Sequence, residues 1–413
     1  MDNLRERLRR MGVVKGAREL KAAPPSPPAA PAEGRQRDVW ERLMPGSRVV
    51  ENEFGRFLLT ESVWPLHHPH GCACPADLLP HSAAPLRPLF GHPLAEQFSH
   101  YLFLDTETTG LGGTGAVAFM VGLAWLEPTA LVVQQLFLRD LDEEPAMLHH
   151  LNSLAPRFQS LATFNGRSFD LPLLETRGVL NRQPCALSAL PHLDLLWPAR
   201  RIWRRRLGSV ALGALEPALL QIGRTGNDVP GWLIPQLYHN WLRAGEAEPL
   251  AGVFYHNRVD LISMVTLLVR LMQVVTEPEN ETESADLLSL ALWQQSARLP
   301  QAEQTLRLAL EKSADHLPAW HAALLALAHW LKQHDRRAEA VPLWLQLAHT
   351  TTDDPRAHIE LAKYYEWHAA DSATALLWTE RALALVARRD AVLSAELHHR
   401  RNRLLRKQEA VGR

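Results

Sequence analysis

Two carboxylates one residue apart, Asp105 and Glu107, end the apolar run that starts Leu102-Phe103-Leu104. In a strand, residues i and i+2 share a face, so both groups meet at one point where the chain leaves the core. Such oxygen donors suit a hard divalent cation. Two further acids have comparable settings: Asp170 opens a helix-like run after Thr163-Phe164-Asn165-Gly166, and Asp260 follows Tyr255-His256-Asn257-Arg258-Val259. On a helix, a separation of four leaves about 40° between side chains and five leaves about 140°. His256 therefore shares a face with Asp260 better than Tyr255 does. Each position also has a structural reading. A D-x-E pair can be a solvated strand end, Asp170 an N-cap, and Asn257 the cap of a helix whose dipole favours Asp260 in its first turn.

The elements that must position these groups read as an α/β domain from about residue 100 to 276. Strands are expected at Leu102 to Asp105, Val117 to Trp125 and Leu131 to Leu138, with the glycine-rich loop 112–115 joining the first two. A helix follows over Glu144 to Phe158, then a strand at Ser160 to Phe164, a helix from Asp170 to Arg177, a strand near His192 to Leu195 and a closing helix from Arg258 to Val274. Three antiparallel strands followed by β-α-β units is a ribonuclease H-like order. Residues 46–99 read as a small β lead-in, with two short strands around Phe54-Gly55. Residues 1–45 read as a flexible arm, basic at first and then too rich in proline to pack.

Past an acidic linker at 277–285, residues 286–408 turn to Ala, Leu and Trp with helical periodicity. The stretches at Ala302, Ala338 and Ala375 recur at a spacing of about 35 residues. Ala322 to Leu331 and Ala357 to Trp367 read as their partner helices. These pairs look like tetratricopeptide repeats, which stack into a solenoid that holds a protein partner. The other reading is an unrelated helical bundle.

At 413 residues and 46% hydrophobic content the chain has material for several cores. A net charge of −1 excludes polyanion binding by overall charge, so a nucleic-acid contact needs a local basic patch. Three cysteines are too few for a disulfide framework, which suits a reducing compartment. No apolar run is expected to reach the roughly 18 residues that span a membrane, and the arginines near the N-terminus do not read as a secretory signal, so the expected location is cytoplasmic with no membrane contact.

The order Asp, Glu, Asp, Asp resembles the DEDD, or DnaQ-like, 3′-to-5′ exonuclease superfamily of the ribonuclease H-like fold. Asp105-x-Glu107 matches its first motif, Asn165-x4-Asp170 its second and His256-x3-Asp260 its third. The run from Asp194 to Gly208, with Leu215-Glu216, Asp228-Val-Pro-Gly231 and Ile234-Pro-Gln-Leu-Tyr238, resembles the YprB-type members, which tend to carry tetratricopeptide-like helices at the C-terminus. The resemblance covers roughly Val49 to Val275. It implies two Mg²⁺ or Mn²⁺ ions bound by Asp105, Glu107, Asp170 and Asp260, hydrolysis of single-stranded nucleic-acid ends, and His256 as the base acting on water. In the histidine branch the base usually precedes the last aspartate by five residues, and in the tyrosine branch tyrosine precedes it by four. Here Tyr255 and His256 exchange those places, and Tyr255 stays open as the base if the helix begins after it.

By the same resemblance Thr108, Thr109, Gly110, Leu111 and Asn165 border the terminal nucleotide. Arg204, Arg205 and Arg206, in a cluster with Arg200, Arg201, Trp197 and Trp203, could track phosphates while the indoles stack on bases. A solvated helix face with buried tryptophans fits that cluster equally. Asp194 reads as a hydrogen-bond acceptor at a strand end. His67-His68-Pro69-His70-Gly71-Cys72-Ala73-Cys74 holds zinc-type donors, but Cys-x-Cys spacing is too short for the usual pair. The expected function is a metal-dependent nuclease. The alternative is a non-catalytic scaffold that binds nucleic acid or protein through the same two parts.

Overall fold

The computed structural model of the chain describes residues 39–110, 115–386 and 390–411. At its centre lies a seven-stranded mixed sheet of β1 (Arg48–Asn52), β2 (Gly55–Pro65), β3 (Tyr101–Thr108), β4 (Ala118–Leu126), β5 (Ala130–Phe137), β6 (Ser160–Thr163) and β7 (His192–Asp194). The spatial order is β1-β2-β5-β4-β3-β6-β7. Pairing is antiparallel from β1 as far as β3, and β6 and β7 run parallel to β3. The two lead-in strands are therefore an edge of the main sheet. Gly55, at φ +124, supplies the hairpin conformation between them.

Alternation along β3 feeds two cores. Tyr101 and Phe103 pack with Leu261, Met264 and Leu268, whereas Leu102 and Leu104 pack with Met147, Leu151 and Leu174. Helices α1 (Glu144–Leu154), α2 (Asp170–Leu180), α3 (Leu196–Ile202), α4 (Ile234–Ala244) and α5 (Leu250–Thr276) cover the sheet. Burying each such Leu or Phe contributes roughly 1.5–3 kcal/mol.

Three expectations need correction. The closing helix starts at Leu250, not Arg258, because Gly252 lets residues 227–229 lie against its first turn. A Cβ there would sit 2.6 Å from Val229 Cγ1 and 3.1 Å from the Asn227 carbonyl oxygen. This helix has the length and apolar character of a membrane span, yet 72% of the qualifying stretch is buried inside the protein. The arm expected to be flexible through residue 45 is anchored at its end, where Trp40 packs on Phe137, Trp241 and Phe254 with ring centroids 5.1, 5.0 and 6.2 Å away. Residues 1–38 lie outside the described residues, as does most of the expected 112–115 loop.

The C-terminal region is helical: α6 (Ser284–Ser296), α7 (Ala302–Glu311), α8 (Leu317–Gln333), α9 (Arg337–Thr350), α10 (Arg356–Trp367), α11 (Ser372–Val386) and α12 (Ala391–Val411). Each packs against its neighbour in sequence. Starts at 302, 337 and 372 are 35 residues apart each time. The acidic segment before α6 is pinned rather than loose. Glu281 is buried, pairs with Arg270 and accepts the N–H groups of Thr282 and Glu283 at 2.9 Å.

Candidate active site

β3 ends at the place where the sheet changes from antiparallel to parallel pairing. Asp105 sits opposite Gly122 of β4, and the register shifts between Glu107 and Thr108. Such an irregularity bends a strand end and re-aims its side chains. Asp105 is held by the α5 amide of Asn257, whose Nδ2 donates to Asp105 Oδ2 at 2.8 Å. The other end of that amide accepts from Gln135 Nε2 at 3.0 Å. Gly122 makes room for it, since a Cβ there would meet Asn257 Oδ1 at 2.2 Å.

Asp170 does not cap its helix. It is the first residue of α2, and its buried carboxylate accepts from Thr106 Oγ1 of β3. Asn257 is not a cap either. With α5 beginning at Leu250, His256 and Asn257 stand about two turns and Asp260 nearly three turns inside the helix, so the four-residue spacing holds and His256 Nε2 lies 3.6 Å from Asp260 Oδ2. Tyr255 points elsewhere. Its hydroxyl accepts from the Thr225 N–H at 3.2 Å, and it lines a different cavity with Leu43, Gln135 and Arg258. His256 and Asp260 share a cavity of about 500 Å³ with Glu216, Arg224, Asp228 and Gly231.

Electrostatics connect the four acids. Burial, and then the neighbouring carboxylates of Asp260, Glu107 and Asp170, push the Asp105 carboxyl well above its usual range. Burial and the charges of Asp260 and Asp170 do the same to Glu107. Burial pushes Asp170 up to about 6, against the Thr106 hydrogen bond. Burial also raises Asp260, while His256 and Arg224 oppose the rise.

Among the described residues, no three His, Cys, Asp or Glu groups close into a ready metal-ligand cluster. The donor set nevertheless fits a hard divalent cation: carboxylate oxygens from three elements, desolvated and mutually repelling. Arg224 supplies a countercharge from within the chain. It bonds Glu216 at 2.7 and 2.8 Å and pairs with Asp260. Glu216 in turn accepts from Ser263 Oγ at 2.7 Å, and His70 Nε2 lies 2.9 Å from that hydroxyl. Sequence reasoning gave Arg224 no role and used Glu216 and Asp228 only as markers of resemblance. A long separation along the chain, 36 residues from Arg224 to Asp260, carries no local signal.

The other expected residues separate. The Thr108 hydroxyl donates to the Gly110 carbonyl at 2.8 Å, and Thr109 Oγ1 accepts from the Val117 N–H at 3.0 Å. Leu111 lies outside the described residues. Asn165 is exposed at φ +70, its N–H held by Asp194 Oδ1 at 2.8 Å. Asp194 also accepts from Arg167 and Leu196 at 3.1 Å, the strand-end role expected of it. Arg204 and Arg205 are exposed, but Arg206 is committed to the helical region through Asp286, at 2.6 to 3.1 Å. Trp203 is buried, so it is lost to the core as a stacking residue, whereas Trp197 packs edge-on to Trp293 and stays partly exposed. Two of the zinc-type donors are engaged elsewhere: Cys72 Sγ donates to the Leu219 carbonyl at 3.4 Å, and His70 Nε2 lies 2.9 Å from Ser263 Oγ.

Residues 102–272 match the family model of the RNase H superfamily. Over 381 residues, 90% of each chain, the sequence is 33% identical to a Bacillus subtilis (strain 168) protein named "Uncharacterized protein YprB". The chain belongs to the YprB family, with an RNase H superfamily domain. At that length the match takes in both the sheet region and the helices of this chain. Members of the RNase H superfamily are commonly nucleases, and a nuclease-type fold with a nucleic-acid substrate follows from membership at that level.

Proposed function

We propose that this YprB-family protein is a metal-dependent 3′-to-5′ exonuclease of DEDD type that hydrolyses phosphodiester bonds at single-stranded nucleic-acid ends. The observation that carries the reading is the group of four mutually repelling carboxylates, Asp105, Glu107, Asp170 and Asp260, at the end of β3. Two Mg²⁺ or Mn²⁺ ions held by these four would activate water and stabilise the leaving 3′-oxygen. His256, in the same cavity as Asp260, takes a proton from water. Thr108, Thr109, Gly110 and Asn165 border the strand terminus, and the exposed Arg204 and Arg205 attract the phosphate backbone. The helices from residue 284 onward act as tetratricopeptide-like repeats for a protein partner, and the three free cysteines suit a cytoplasmic setting.

A second reading, a nucleic-acid-binding scaffold without catalysis, draws on the pairing of Arg224 with Asp260. One experiment separates them. Single-stranded DNA and RNA labelled at the 5′ end are incubated with the protein in Mg²⁺, in Mn²⁺ and in chelator. The nuclease reading expects stepwise shortening from the 3′ end that chelator stops. Intact strands in both metals, with binding retained, would establish the scaffold.

A further inference from the structure

Segment 224–231 closes over α5, and two of its side chains compete for one atom. Asp228 Oδ1 lies 2.8 Å from His256 Nδ1, and Arg224 Nη1 lies 3.1 Å from the same nitrogen. A guanidinium only donates and an ionised carboxylate only accepts. The two neighbours therefore demand opposite tautomers: beside Asp228 the ring carries its proton on Nδ1, and beside Arg224 alone it carries it on Nε2. Distance favours Asp228, at 2.8 Å against 3.1 Å, and the guanidinium has carboxylates to donate to instead. Arg224 Nη1 is left within 3.5 Å of Asp228 Oδ2, and its other nitrogens are taken by Glu216 and Asp260.

We infer that Asp228 is the positioning residue of the site: it fixes the His256 tautomer so that the unprotonated Nε2 faces the cavity and Asp260. The surroundings agree. Asp260 Oδ2, at 3.6 Å, is beyond hydrogen-bond range of Nε2 and so does not demand a proton there, and the Cβ position of Gly231 lies 4.0 Å from Nε2, so the lone pair opens into the space a glycine leaves. Gly252 permits the close approach that brings Asp228 over the helix, since the Asn227 carbonyl oxygen lies 3.1 Å from the place its Cβ would take. Arg224 holds Asp228 from behind while neutralising Glu216 and Asp260. Only Nε2 is then left to accept a proton from water.

The inference rests on the nuclease reading for its catalytic meaning, but its structural content is measured without metal or substrate. Full-length protein labelled with ¹⁵N in histidine, in chelator and at alkaline pH, gives the two ring resonances of His256, assigned by their loss in His256→Gln. Wild type is expected to show Nδ1 in the protonated range and Nε2 in the unprotonated range. In Asp228→Ala, Arg224 captures Nδ1 and the two resonances exchange places. In Arg224→Lys, which keeps a cation between Glu216 and Asp260, the wild-type pattern persists. A wild-type ring protonated on Nε2, or an Asp228→Ala ring unchanged from wild type, would overturn the assignment. Under single-turnover conditions Asp228→Ala is expected to lower cleavage about 10²-fold or more, the scale of a general base, with strand binding unchanged. If wild type itself cuts nothing, the nuclease reading fails while the resonances still decide the tautomer.

Discussion

Asn257 Nδ2 donates to Asp105 Oδ2 at 2.8 Å, a bond across 152 residues that joins α5 to β3 where each carries acidic site residues. Asn257 is wholly buried, and Gln135 Nε2, which also donates to the Phe254 carbonyl at 2.8 Å, holds its oxygen. Replacing it by leucine leaves the Asp105 carboxylate without its donor. Asn257→Leu is expected to cost about 1–3 kcal/mol in urea unfolding and to weaken cation binding. Unchanged stability and unchanged Mn²⁺ affinity would show that the amide is a bystander.

Gly122 tests the same junction from the strand side. A methyl group there would stand 2.2 Å from Asn257 Oδ1, so helix and sheet must separate or the amide must turn away. Gly122→Ala is expected to destabilise by about 1–3 kcal/mol, the range for overpacking a filled interior. Thermal melting decides it. Melting at the wild-type temperature would mean that the contact yields without strain.

At the proposed cation site, protons and cations would compete for the acids. Burial holds the Asp170 carboxyl at about 6 against 3.8 for the free group, and Asp105 and Glu107 are raised too. Raised carboxyls bind protons in the folded state that the unfolded chain has released. The contribution of Asp170 to stability is complete below about pH 4 and is lost as pH rises through about 6, and those of Asp105 and Glu107 are lost in the same direction. A divalent cation replaces the missing protons, so the rise in melting temperature caused by Mg²⁺ should be larger near pH 8 than near pH 5. Equal rises at both would contradict the shared site.

Arg224 lies between Glu216 and Asp260, the first almost fully buried. Arg224→Ala strands both carboxylates, and breaking a buried pair in this way costs about 3–5 kcal/mol. Chemical denaturation without metal is expected to show that loss, with part of it restored by Mn²⁺. No restoration would separate Arg224 from the cation site.

Trp232 is 80% exposed in the turn after Gly231, which lines the His256 cavity. An exposed indole beside such a site suits stacking on a base. Trp232→Ala is expected to weaken binding of single-stranded nucleic acid by about 1–3 kcal/mol. Fluorescence anisotropy in chelator reads this directly, and undiminished affinity would remove Trp232 from the substrate path.

Much of the sheet was legible because its strands are continuous apolar runs. β3, β4 and β5 lie within one to three residues of the expected bounds, and the 35-residue recurrence located helices α7, α9 and α11. Asp105, Glu107 and Asp170 lie on the strand and at the helix start where the sequence puts them, whereas Asp260, expected in a first turn, lies well inside α5. The partners of those acids were not legible. Asn257 looked like a cap because polar residues interrupt the apolar pattern of α5, and the tertiary contact with Asp105 explains that interruption. Arg224 gave no sign because Glu216 and Asp260, the carboxylates it bonds most closely, are 8 and 36 residues away. The arginine cluster misled for a similar reason: Arg206 belongs to Asp286, 80 residues on, and Trp203 to the core.

Binding of Mn²⁺, counted by electron paramagnetic resonance on metal-stripped protein, tests most directly whether Asp105, Glu107, Asp170 and Asp260 form one cation site. The account predicts two ions per chain in wild type and loss of tight binding in Asp105→Ala. Wild-type protein that binds no Mn²⁺, or an Asp105→Ala protein that binds it as wild type does, would contradict it.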